Sequence, residues 1–304
     1  YGCVQLSGSI PQDLFKYNEL ASDSAFYATF QFCNTLTGSI PQDLFRYNIN
    51  VSGPGFWQMF TYCYNLSGNI PQDLFKYNIL VGNENEGDYD ALNGAFRAMF
   101  HSCENLTGPI PQDLFSFNTN VNRNAFELTF FKCKNLTSIP TDLFRYNVNV
   151  GDRAFDSSFE FCESLSGSIP VDLFRYNTLV GDRGFYQTFT GCESLSAVPK
   201  NLFLYNTLNN SFYATLQGCN NLTLDPELFC TSEHKSTIFK NRDLDFRYCM
   251  NYGPFTGTLG TAPDLWNYDF GSGTIQKSNC FKGQTVLSVT NFNDIPLEWG
   301  RNPT

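Results

Sequence analysis

The stretch Asn135–Phe155 reads NLTSIPTDLFRYNVNVGDRAF. Before it, Asn105–Phe126 reads NLTGPIPQDLFSFNTNVNRNAF, and after it Ser194–Phe212 reads SLSAVPKNLFLYNTLNNSF. A sentence that returns at a fixed interval is the mark of repeat architecture, so the interval is established first. Ten of the 11 cysteines fall in one register: Cys3, Cys33, Cys63, Cys103, Cys133, Cys162, Cys192, Cys219, Cys249 and Cys280. Successive steps run from 27 to 31 residues, apart from one of 40 that holds an insertion at 82–93.

Other columns keep the same register. Seven residues before the cysteine stand Phe26, Phe56, Phe96, Phe126, Phe155, Phe185 and Phe212. Three before it stand Phe30, Phe60, Phe100, Phe130, Phe159 and Phe189, then Leu216 and Phe246. Three after it comes a leucine, from Leu6 to Leu222, and then a Pro-x-Asp-Leu-Phe segment that begins at Pro11 and survives in worn form at Pro263–Trp266. Phe, Phe and Cys at i, i+4 and i+7 predict one apolar face of a short helix. The leucine and the isoleucine before the proline predict a short extended rung. The proline ends that rung and suits the first turn of a second helical piece. Asn18, Asn48, Asn78, Asn118, Asn147, Asn177 and Asn206 close this piece, and their amides can bond a neighbouring coil's backbone.

A unit of this size cannot bury its own apolar side, so units must stack. The expectation is an α/β solenoid, a right-handed superhelix of about nine to ten coils over residues 1–252, with a degenerate repeat and C-terminal cap over 253–304. Strands would lie about 4.8 Å apart on one side. Helices would lie about 8–10 Å apart on the other, and the mismatch would curve the stack. That helix spacing exceeds the roughly 7 Å a disulfide allows, so the cysteine column reads as packed thiols. Cys230 lies outside the register and is expected to face outward, as an idle thiol or bonded to another cysteine. Gln284–Phe292 reads as a terminal strand. The first unit begins at its cysteine, without its two Phe, so Leu6, Ile10 and Phe15 need a cover. A removed upstream domain or the end of another subunit would supply it.

The sentence AFxxTFxxCxNLTSIPxDLFxYN resembles the BspA-like branch of leucine-rich repeats, found in bacterial surface proteins and phage fibre proteins, over nearly the whole chain. The resemblance implies extracellular display, adhesion or scaffolding, and no reaction.

Composition narrows the classes further. Net charge is −10, which argues against nucleic acid as a partner. No apolar run approaches the ~20 residues that span a bilayer. No nucleophile elbow, phosphate loop or metal-spaced His/Glu cluster occurs, so no catalytic residue, cofactor or metal is expected. The carboxylate column Asp13, Asp43, Asp73, Asp113, Asp142 and Asp172 reads as helix-start charge, paired three residues on with Lys16, Arg46, Lys76, Arg145 or Arg175. Asn83–Asp90 has oxygen ligands around Gly87 but lacks the downstream Glu of a calcium loop. His101 and His234 have nothing paired around them; His101 reads as helix surface.

Two surface features remain. Tyr17, Tyr47, Tyr77, Tyr146, Tyr176 and Tyr205 form a column that reads either as packing between coils or as a stripe for protein or sugar. Among the Asn-x-Ser/Thr sequons, Asn65, Asn105, Asn135 and Asn221 share one register, so glycans there would line one edge; Asn50 and Asn209 lie outside it. The reading that follows is a non-enzymatic extracellular structural or adhesive protein assembling end to end through its uncapped N-terminal end. The alternative is a receptor- or glycan-binding module.

Overall fold

The structure, a computed structural model, describes residues 4–82, 94–251, 260–285 and 288–301. Most of the insertion, from Asn83 to Asn93, and Cys3 lie outside the described residues.

The rungs are where the leucine–proline segment was expected to extend. β1 (Gly68–Asn69) pairs parallel with β2 (Leu106–Thr107), β3 (Gly167–Ser168) with β4 (Leu195–Ala197), and β5 (Leu244–Asp245) with β6 (Ile275–Gln276). Single parallel bridges carry the same register elsewhere: Gly8 to Leu36, Gly38 to Leu66, Gly108 to Leu136. The glycine is needed there because the chain takes φ between 76° and 90° at Gly8, Gly38, Gly68, Gly108 and Gly167. Its carbonyl then accepts from the next storey, as in Thr137 N–H to Gly108 O at 2.9 Å.

The Phe–Phe–Cys segment is not a helix, and no α-helix occurs among the described residues. In Phe126–Cys133 the backbone alternates. Phe126, Leu128, Phe130 and Lys132 donate to Ala154, Asp156, Ser158 and Glu160 of the next storey at 2.8–3.0 Å. The residues between them, Glu127, Thr129, Phe131 and Cys133, donate three residues back at 2.9–3.2 Å. Every fourth residue turns left-handed: Asn124, Leu128 and Lys132 have φ of 52°, 57° and 57°. This four-residue unit places i and i+4 on one side, as a helix would, which is why the apolar spacing reads as helical. The left-handed residues cost roughly 1–2 kcal/mol each. The inter-storey hydrogen bonds and the buried rings offset that cost. The second expected helix is also a run of turns, such as Arg145 N–H to Asp142 O and Asn147 N–H to Phe144 O.

Direct backbone pairing sets the storeys much closer than packed helices. Phe126 stacks between Phe96 and Phe155 at 6.0 and 5.9 Å, and Phe130 between Phe100 and Phe159 at 5.8 and 5.6 Å. A third column runs through Phe115, Phe144 and Phe174 at 6.2 Å, tilted against the first. With no packed helices among the described residues, the expected 8–10 Å helix spacing does not arise. The geometric argument against disulfides falls with it.

The thiols have a different occupation. Cys63, Cys103, Cys133, Cys162, Cys192 and Cys219 each donate Sγ–H to the carbonyl of the preceding storey's Phe (Phe30, Phe60, Phe100, Phe130, Phe159, Phe189) at 3.0–3.1 Å. Cys33, in the same column, is also buried. The asparagines do the same on the other side. Asn147 Nδ2 donates to Phe115 O at 3.1 Å and Asn118 O at 2.9 Å, and the pattern repeats from Asn48 to Asn206.

At the C-terminal end Trp299 and Ile295 are buried, with Trp299 against Phe246 and Phe281. The terminal strand expected over Gln284–Phe292 is not formed among the described residues. Val289 makes one parallel bridge to Gly260, and the chain then enters a short turn at Phe292–Asp294. Among the described residues no helix is long and apolar enough to cross a membrane.

Candidate interaction surface

The segment after the proline bends so that Leu and Phe point inward and the next two residues point out. Leu143 and Phe144 are buried, whereas Arg145 and Tyr146 are exposed. Repetition turns this into an edge. The tyrosine column is half-buried, with exposure of 36% at Tyr176 to 49% at Tyr146, and 87% at Tyr17 in the first storey. Basic side chains lie between the rings. Lys16 stands over Tyr17 and Tyr47, Arg46 over Tyr47 and Tyr77, Arg145 over Tyr146 and Tyr176, and Arg175 over Tyr176 and Tyr205, all at 5.3–6.0 Å. Carboxylates three residues back pair with the cations: Asp73 with Lys76, Asp142 with Arg145, Asp172 with Arg175, at 3.2–3.7 Å. The edge is thus a ladder of ring, cation and carboxylate. Exposed pairs of this kind add little stability each, because water screens them.

Two storeys lack the cation: Ser116 and Leu204 stand where Lys16, Arg46, Lys76, Arg145 and Arg175 stand elsewhere, and Phe117 replaces the tyrosine beside Ser116. At Leu204 the carboxylate is missing too, since Asn201 takes its place; at Ser116 it is present as Asp113. An open notch of about 580 Å³ lies there, lined by Gln72, Asp73, Lys76, Asp113, Phe117 and Tyr146, besides Ser116 itself.

A second, more polar cleft of about 600 Å³ lies on another side, with Asp182, Arg183, Tyr186, Asn210, Asp245 and Arg247 among its lining. Its charges are largely engaged with each other. Arg247 forms two bonds to Asp245 at 2.7 and 3.0 Å, Asn210 Nδ2 donates to Asp182 at 2.8 Å, and Arg183 meets Asp156 at 3.1 Å.

Beside that cleft runs a group that sequence reasoning missed: Glu127, Asp156 and Glu160, all buried. Arg97 reaches Glu127 at 3.0 Å through two nitrogens, and Gln187 Nε2 donates to Glu160 at 3.3 Å. Burial pushes Asp156 up to about 6, against the pull of Arg183. It pushes Glu160 up to about 7 despite its bond to Ser157. The signal was in the register: these residues fill positions six and two before the cysteine, where other storeys carry residues such as Tyr27, Trp57 and Arg97, or Gln31, Thr61 and His101.

The Asp column lies on the exposed edge and not at helix starts. His101 is not on a helix surface. It lies between Tyr62 and Phe131, with ring centres at 4.8 and 4.5 Å, and burial lowers it to about 4, so it is neutral at physiological pH. Cys230 does not face outward; it is buried and bonds to Tyr268 Oη at 3.4 Å. Burial raises the ladder thiols, Cys219 to about 12, which keeps them protonated. No metal-binding cluster occurs among the described residues. Asn65, Asn105, Asn135 and Asn221 are exposed, and Asn65, Asn135 and Asn221 donate Nδ2 to the preceding storey at 2.6–2.8 Å. Asn209 is fully buried, which rules it out as a glycan acceptor in the folded chain. Comparison of the chain with known protein families, with characterised proteins and with solved structures finds no match.

Proposed function

We propose that this chain is a repeat solenoid of the BspA-like kind, displayed outside the cell as a non-enzymatic structural and adhesive element. It holds a protein or glycan partner along its Tyr–cation edge. The observation that carries the reading is the edge itself. Six tyrosines at one register position stay partly exposed and are held by cations, beside phenylalanine columns that are fully buried. Rings with a polar tip and a fixed neighbour bind at low entropic cost. Glycan arrays and panels of extracellular proteins test it. Saturable capture by the wild type, lost in a Tyr47→Ser, Tyr176→Ser, Tyr205→Ser variant of unchanged melting temperature, is expected. Absence of capture overturns the binding reading.

A further inference from the structure

The complete storeys show what the one at Ser116 lacks. At Arg145 and Arg175 the basic side chain belongs to a fixed set: a carboxylate three residues before it, its own ring, and the ring of the next storey. Arg145, with Asp142, Tyr146 and Tyr176, is one such set. At Ser116 the carboxylate Asp113 is present, and so are both rings, Phe117 and Tyr146, 45% and 49% exposed. The cation is missing. Ser116 turns its hydroxyl back to the carbonyl of Asp113 at 3.0 Å, so it does not reach the rings. Asp113 receives only Gln72 Nε2 at 3.4 Å and has no ion pair among the described residues. On the opposite wall Lys76 is matched by Asp73 at 3.7 Å, so its charge leaves Asp113 uncompensated.

We propose that the notch between Phe117 and Tyr146 is a receptor site for one arginine side chain of a partner protein, whose guanidinium completes the ladder between the two rings and pairs with Asp113. The choice of arginine follows from the geometry. Its planar head stacks on ring faces and offers paired donors to a carboxylate, whereas an ammonium does neither as well. The two storeys on the C-terminal side of the notch, Arg145 and Arg175, use that group for the same task. The net charge of −10 favours the approach of a basic partner. This site gives the partner-binding edge its specific anchor and rests on that reading.

The test is ligand-observed NMR titration of the intact protein with acetyl-Gly-Arg-Gly-amide and with the same peptide carrying citrulline, which keeps the shape and loses the charge. Saturable binding of the arginine peptide is expected, weakened about tenfold by citrulline and by Asp113→Asn. Ser116→Arg supplies the cation from within, so it should abolish binding while holding or raising the melting temperature. Phe117→Ser serves as a second disabling variant at an exposed position. Equal binding of both peptides, no saturation by the wild type, or unchanged affinity in Ser116→Arg overturns the proposal. The peptide reads the notch alone and the arrays read the whole edge. An edge that captures no partner therefore leaves the peptide result standing.

Discussion

Asn147 shows how much one residue carries. It is fully buried, and its amide nitrogen serves two carbonyls of the preceding storey, Phe115 O and Asn118 O. Replacing it by leucine keeps the volume and leaves both carbonyls without that donor, at about 1–3 kcal/mol for each unsatisfied group. Urea denaturation should register the loss, while Asn149→Ala, an exposed asparagine two residues on, should change little. Glu160 acts in the opposite sense. Its folded value is raised to about 7 from 4.5, so the folded chain binds the proton more tightly than the unfolded one. Stability from this group is therefore fully present in acid and is lost as pH rises from near 4.5 through 7, by about 1.4 kcal/mol per pH unit at most. Asp156, raised to about 6 from 3.8, adds a slope of the same sign over a lower window. Glu160→Gln should flatten the upper part of the curve and raise the melting temperature at pH 8. A melting temperature that climbs steadily from pH 5 to 8 in the wild type would contradict this.

At the scale of the element, the Phe–Phe–Cys segment separates spacing from conformation. Gln58 sits in it with φ of 55°. In a helix, Gln→Gly would cost about 0.5–1 kcal/mol. Here glycine relieves a left-handed residue, so Gln58→Gly should gain on the order of 0.5–1 kcal/mol. Thermal melts of the two proteins check the sign, and far-ultraviolet circular dichroism should lack paired helical minima. The Phe and Cys columns of this segment were legible from recurrence alone, because burial follows side-chain chemistry. Its backbone was not. A period of four lies too close to 3.6 for the apolar pattern to distinguish them, and nothing in the side chains of Leu128 or Lys132 announces a positive φ. The edge was legible in the same partial way. The tyrosine column and its basic neighbours could be read, but whether rings were buried between coils depended on the coil spacing.

For the whole molecule, each storey hydrogen-bonds to the ones before and after it, and stability is shared between neighbours. Amide hydrogen exchange should therefore be slowest in the middle, at Phe126 and Phe130, whose N–H groups bond to Ala154 and Ser158. It should be fastest in the first storey, where Leu6 and Leu14 are exposed. Uniform protection along the chain would contradict a nearest-neighbour stack. The sequence by itself determined the period, the residues that face inward, and the role of the asparagine amides, because each follows from local chemistry repeated in register. Only the tertiary structure decided the distance between storeys, the buried position of Glu127, Asp156, Glu160 and Cys230, and the notch at Ser116. The physical reason is competition for backbone donors. An amide can bond within its own coil or across to the next, and which bond it makes depends on a neighbour that is about thirty residues away in the chain.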